Sequence, residues 1–211
     1  MAKRVSFLID GFNLYHSIDA AKRDRIIKSG KWLDVWSLCK NYIYLFGKEA
    51  TLFEVYYFSA IATHLGNTVM QNYQTYLAAL RSTGVQPILG TFKRKKILCR
   101  AVCKQEGWGY EEKETDVNIA VKLIELLMLK SCDVPVIVSG DTDLSAAIKS
   151  AKRLFPEIKI GVGFPYRRAQ AELQQLADLS FKIRPDNYQK FVFPDQVILH
   201  DGKAVAKPAG W

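Results

Sequence analysis

RVSFLIDGFN, residues 4–13, decides the fold of this chain. Its first six residues are a short, nearly unbroken apolar run, as expected of a strand covered on both faces, the habit of parallel sheets. The run stops at Asp10-Gly11, and residues 12–23 read as a short helix. The same grammar recurs in VPVIVS (134–139), which ends at Gly140-Asp141 and leads into a helix over 143–154. Between them, TLFEVYYFSAI (51–61) is rich in aromatic and β-branched residues and reads as a strand. Residues 67–82 form an amphipathic helix that stops before Gly84, which suits a left-handed cap.

The remaining segments extend the alternation. Residues 32–46 repeat apolar positions at helical spacing, and VQPILGTF (85–92) reads as a third strand. The irregular stretch after it, KRKK and then ILCRAVCKQEGWGYEE, reads as a hairpin-like excursion or a long functional loop. Residues 116–130 are apolar nearly all round and predict a central, buried helix. IKIGVGF (158–164) and LSFKI (179–183) are strands around a helix over 166–177. Beyond Pro185 periodicity is lost, so residues 1–185 form one domain and 186–211 a partly irregular, frayed C-terminal extension. Strands separated by helices imply right-handed crossovers and a parallel sheet, with ligands at the carboxyl ends of its strands.

Asp10, Asp116, Asp141 and Asp143 stand at such joints. Singly, each has a structural explanation: Asp10 as a turn former, Asp116 as a helix cap or a dipole partner, Asp141 as an N-cap. Together they pose a charge problem. Two unit charges about 4 Å apart cost on the order of 4 kcal/mol at an effective dielectric of roughly 20. A divalent cation offsets that repulsion, and an all-oxygen donor set favours Mg²⁺ or Mn²⁺.

The chain has 211 residues, 30 Lys plus Arg against 21 acids and a formal charge of +9, an excess that favours a polyanionic partner. No apolar run approaches the roughly 20 residues of a membrane span. The N-terminus has no small-residue cleavage site and is not read as a signal peptide, so a cytoplasmic location is expected. Without a secretory signal, Cys39, Cys99, Cys103 and Cys132 are read as free thiols. Cys99 and Cys103 lack the second Cys/His pair a zinc site needs.

VSFLIDGFN (5–13), EKETDV (112–117) and VIVSGDTDL (136–144), in this order, closely resemble the motifs of the NYN domain, a branch of the PIN-like nuclease superfamily, and its LabA-like bacterial members in particular. The resemblance runs from about residue 4 to residue 185. It implies an α/β fold, a PIN-like three-layer α/β/α sandwich around a mainly parallel sheet, and a metal-dependent ribonuclease. The acids of the family fall on Asp10, Asp116, Asp141 and Asp143, with Asn13 as polar partner of the first. Leu144 departs from a common aromatic, and Glu114-Thr115 replaces a frequent glycine-containing step before the middle acid.

The implied reaction is hydrolysis of an RNA phosphodiester by water activated at Mg²⁺ or Mn²⁺ held by Asp10, Asp116 and Asp141. Asp143 completes a second metal position or acts through a water. Ser139 and Thr142 hold waters or carboxylates in place, and Lys113 binds phosphate. For RNA contacts the candidates are Lys93, Arg94, Lys95, Lys96, Arg100 and Trp108, the tryptophan with Tyr110 by stacking on unpaired bases. RNA is the expected partner, no membrane is, and a homodimer or a regulatory protein partner is left open. Two other functions fit the same segments: an RNA-binding regulator that keeps a non-catalytic fold, and a Mg²⁺-dependent phosphatase. A nucleophilic phosphatase aspartate calls for D-x-D-x-T/V, which Asp10-Gly11-Phe12-Asn13 does not supply.

Overall fold

In the computed structural model, which describes residues 2–98 and 106–211, the first strand β1 (Lys3–Asp10) is paired on both edges. It runs parallel to β2 (Ala50–Ala60) on one side and to β5 (Val134–Val138) on the other. That central place explains its unbroken apolar run, because both faces are covered. Val5, Phe7 and Ile9 enter one half of the core and Leu8 the other, the two-residue alternation of a strand.

The other elements follow in order: α1 (Gly11–Arg23), α2 (Val35–Lys40), α3 (Asn67–Ser82), β3 (Val85–Leu98), β4 (Glu106–Lys113), α4 (Thr115–Met128), α5 (Ser145–Leu154), β6 (Gly161–Phe164), α6 (Ala171–Leu176) and β7 (Leu179–Lys182). Among the described residues one seven-stranded sheet has the order β4-β3-β2-β1-β5-β6-β7. Every pair in it is parallel except the β3–β4 hairpin. Leu14, Ile18, Leu38, Leu77 and Leu80 of α1 to α3 pack on one face. Ile119, Leu123, Ile148 and Leu173 of α4 to α6 pack on the other. This is the expected α/β/α sandwich. The strand order reverses direction between β1 and β5, which makes their carboxyl ends the switch point of the sheet.

Four segments differ from the sequence-based expectation. The helix expected over 32–46 is only α2 and a 3-10 turn at Ile43–Phe46. Trp32 and Leu33 are instead tied to the tail, the Trp32 indole Nε1 donating to the Pro194 carbonyl at 2.8 Å and Leu33 bridging to Val192. Asp34 then caps α2 through the Ser37 amide at 3.0 Å. The helix of 166–177 starts only at Ala171, after a turn in which Arg167 takes φ 60°. The buried α4 is half exposed: Ile119, Leu123, Leu126 and Leu127 pack inward, while Val117, Val121 and Met128 are 60–68% exposed.

The tail beyond Pro185 is packed, not frayed. It forms α7 (Asp186–Lys190) and a hairpin of β8 (Gln196–Ile198) and β9 (Ala204–Ala206). Tyr188, Phe193 and Val197 are buried in the α1–α3 half of the core, and Trp211 meets the rings of Trp32 and Tyr76. Cys39 and Cys132 are buried free thiols; Cys99, Cys103, Arg100 and Lys104 lie outside the described residues. Among the described residues no helix is long and apolar enough to cross a membrane.

Candidate active site

Asp10 ends β1 and opens α1. Its Oδ1 accepts from the Asn13 amide at 2.9 Å, the N-cap bond that starts the helix. Its Oδ2 accepts from Asn13 Nδ2 at 2.9 Å and from Ser139 Oγ at 2.7 Å. The turn-forming and functional readings of Asp10 therefore describe one side chain. Burial pushes the Asp10 carboxyl above the usual range; the hydrogen bonds from Asn13 and Ser139 oppose this, and the charge of Asp141 adds to it. Gly11 is required, because a Cβ there would stand 2.6 Å from the Phe58 carbonyl oxygen.

The end of β5 closes against this turn. Ser139 Oγ also accepts from the Asp141 amide at 3.0 Å, and the Gly140 amide donates to Asn13 Oδ1 at 3.1 Å. Asn13 thus joins the β1 and β5 ends, donating to one and accepting from the other. Asp141 Oδ1 accepts from the Asp143 amide at 3.0 Å and caps the 3-10 turn Thr142–Leu144. Asp141 is half-buried, while Thr142 and Asp143 are exposed. A Cβ on Gly140 would lie 2.0 Å from the Arg168 carbonyl oxygen, so the β6–α6 turn presses directly on the acidic loop.

Asp116 arrives from the first turn of α4. The helix starts after Glu114, held at φ 82°, and Glu112 accepts from the Thr115 amide at 3.1 Å and from the Thr115 hydroxyl. Burial pushes the Asp116 carboxyl up to about 6, with further upward pushes from Asp141, Asp10, Glu112 and Asp143 in that order. Asp116 therefore feels the other three expected acids and a fourth that sequence reading did not assign. Glu112 looked like part of the lead into the motif; only the hairpin turns it toward the cluster.

The donor chemistry fits a hard divalent cation: several carboxylates, hydroxyl and amide oxygens, and repulsion that a +2 charge relieves. Among the described residues no three acidic, His or Cys side chains stand close enough to enclose an ion.

The expected RNA contacts lie on the β3–β4 hairpin, except Arg100, which is outside the described residues. Arg94 lies over the exposed Trp108 ring at 4.0 Å and Lys96 at 5.8 Å. Lys95 and Lys113 both pair with Glu111, at 2.9 and 3.0 Å. Lys93 is exposed. The hairpin is tied to the acidic edge by Phe92, whose ring meets Phe12 edge-on at 5.8 Å. His64 is sandwiched there, stacked on Tyr110 at 3.9 Å and edge-on to Phe92 at 4.9 Å. On the other side of the acids, an open groove of about 960 Å³ runs from Asp116 and Asp143 along the exposed apolar face of α4.

The fold is similar to that in the crystal structure of a protein of unknown function from Vibrio parahaemolyticus, with a TM-score of 0.57 and 19% identity over 91% of this chain and 97% of that one. No curated protein matches the chain significantly. The family model of the NYN domain matches residues 4–183, the whole span from β1 through β7 that carries the four aspartates. The chain belongs to the NYN domain family of the PIN-like nuclease superfamily.

Proposed function

We infer that this protein is a Mg²⁺- or Mn²⁺-dependent ribonuclease whose reaction centre is the edge formed by Asp10, Asp116, Asp141 and Asp143. The observation that carries the reading is the convergence of acids from the end of β1, the end of β5 and the start of α4, tied at the first two by Ser139 and Asn13, with Asp141, Asp10 and Asp143 all adding to the upward push on Asp116. NYN membership points to a nuclease and to divalent-metal dependence. Asp10, Asp116 and Asp141 are the residues that would hold the cation, with Asp143 beside them. Bound there, the cation supplies Lewis acidity that makes a water nucleophilic near neutral pH and offsets charge on the phosphate.

The chain's own residues do the rest. Asn13 and Ser139 lock the Asp10 carboxylate in one orientation, so it serves as a fixed oxygen donor and not as a nucleophile. That favours hydrolysis over an aspartyl-phosphate route. The Lys113–Glu111 pair is exposed and easily exchanged for a phosphate contact. The edge is open on both sides, toward the hairpin and toward the α4 groove, which suits endonucleolytic cleavage within a strand.

The test is cleavage of labelled RNA in EDTA, Mg²⁺ and Mn²⁺ by the wild type, Asp10→Asn and Asp141→Asn. Activity should need the metal and fall at least ~10²-fold in either variant. Cleavage that persists in both variants would place the chemistry elsewhere. Metal-independent RNA binding without cleavage would favour the regulatory reading.

A further inference from the structure

A second cavity, of about 500 Å³, opens beside the acidic edge between the start of α1, the end of β2 and α3. Its volume falls within the ~300–1,000 Å³ of small-molecule sites. Its walls are aromatic: Phe12, Tyr15, Tyr57, Tyr73, Phe92 and Trp211. Gly11 and Phe12, which directly follow Asp10, form part of it, so it begins one residue from the cluster. Polar atoms are set into this wall. His64 Nδ1 and Tyr73 Oη are both buried without a hydrogen-bond partner among the described residues, although the Ser59 and Tyr57 hydroxyls stand beside Tyr73. The His64 nitrogen is the one that calls for a partner the fold itself does not provide, while the Tyr73, Ser59 and Tyr57 hydroxyls form a polar group that can share its bonds with a ligand.

We propose that this cavity takes one unstacked nucleobase of single-stranded RNA, the base next to the phosphate held at the acidic edge. This rests on the ribonuclease reading and gives it a substrate class. A base offers what the site lacks: flat faces for the aromatic walls, and edge donors and acceptors for His64 Nδ1, Tyr73 Oη and the buried Ser59. The phosphates on either side are complemented by the adjoining hairpin, where Lys93 and Arg94 directly follow the cavity-lining Phe92. A duplex cannot deliver a base there without unpairing it, so the geometry selects unpaired strands.

The test places a single 2-aminopurine at each position of a short RNA and follows its fluorescence on binding to the wild-type protein in EDTA, where no cleavage occurs. One position should be quenched. An abasic residue at that position should weaken binding about 5–100-fold, the range expected for one stacked base. Asn72→Trp, which fills the cavity from α3, and His64→Ala should lose the quench while still melting in a single cooperative transition and keeping the salt dependence of RNA binding. In Mg²⁺ the cleaved bond should lie next to the quenched position. Uniform fluorescence and tolerance of an abasic residue at every position would overturn the proposal even if the RNA is cut. A quenched, abasic-sensitive position without cleavage would sustain the pocket and overturn the nuclease reading instead.

Discussion

Asp116 sits where burial and four neighbouring acids disfavour its charge, and its pKa is pushed up to about 6. The sign of the consequence follows from proton counting. Between the ordinary carboxylate value near 4 and about 6, the folded protein binds more protons than the unfolded chain. Asp116 should therefore add stability to the metal-free protein as pH falls from 7 through 6 toward 4.5, with Asp10, also shifted upward, acting in the same direction and against Glu111, Asp133, Glu172 and Asp178, which their partners hold low. Paired thermal melts in EDTA isolate the term: Asp116→Asn should melt above the wild type at pH 7, and the gap should close toward pH 4.5. Saturating Mg²⁺ should likewise raise the wild-type melting temperature at pH 7. Glu114 adds a backbone prediction. It holds φ 82°, a left-handed conformation that glycine adopts without strain, so Glu114→Gly should stabilise by about 0.5–1 kcal/mol in urea denaturation. The four aspartates were readable because each ends an apolar run or starts a helical one. Two features were not readable: that Glu112 turns toward the cluster to bond Thr115, which the β4–α4 turn decides, and that Asn13 Oδ1 accepts from the Gly140 amide, 127 residues away in the β5 loop.

At the scale of elements, the β3–β4 hairpin is the least readable part and the one that carries the proposed RNA contacts. KRKK has no apolar alternation to mark a strand, yet Thr91–Leu98 pairs antiparallel with Glu106–Lys113. Backbone bonds and cross-strand pairs such as Lys95–Glu111 hold it, and a hydrophobic pattern cannot announce those. Its cations should contribute to binding through counterion release. Lys93→Ala with Arg94→Ala should leave the fold intact and flatten the slope of log K against log salt by about 1.4 if each neutralises one phosphate of a single strand. An unchanged slope in filter-binding titrations would mean the strand passes elsewhere. The helix α4 was misjudged for a related reason. Its sequence is apolar all round, but the inward stripe of Ile119, Leu123 and Leu126 already fills the contact with the sheet, and the opposite apolar side is left lining the groove. Gly140 shows how closely these elements meet: Gly140→Ala would drive a methyl into the Arg168 backbone, and a loss of about 2–3 kcal/mol is expected from overpacking.

At the scale of the molecule, the order β4-β3-β2-β1-β5-β6-β7 brings Asp10 and Asp141 together at the reversal between β1 and β5, and α4 delivers Asp116 from the segment that crosses between the two halves. Alternating strand and helix patterns made this layout readable. They could not show the last layer, because residues 186–211 have neither period and draw their order from what they cover. Tyr188 donates or accepts with Ser17 at 2.7 Å inside the core, Asn187 Nδ2 donates to Tyr42 Oη at 2.8 Å, and the Trp32 indole depends on the Pro194 carbonyl. Tyr188, Phe193 and Val197 are all buried, and at about 2 kcal/mol for each such side chain their removal forfeits roughly 6 kcal/mol. Orphaning the Trp32 indole N–H adds to that loss. A domain of this size has only about 5–15 kcal/mol of net stability. A chain cut after Pro185, although it retains the whole span from β1 through β7 and every aspartate of the site, should therefore lose a large part of its stability and melt far below the full-length protein. Circular dichroism melts would show this directly, and a cooperative transition within a few degrees of the full-length protein would mean the tail is dispensable.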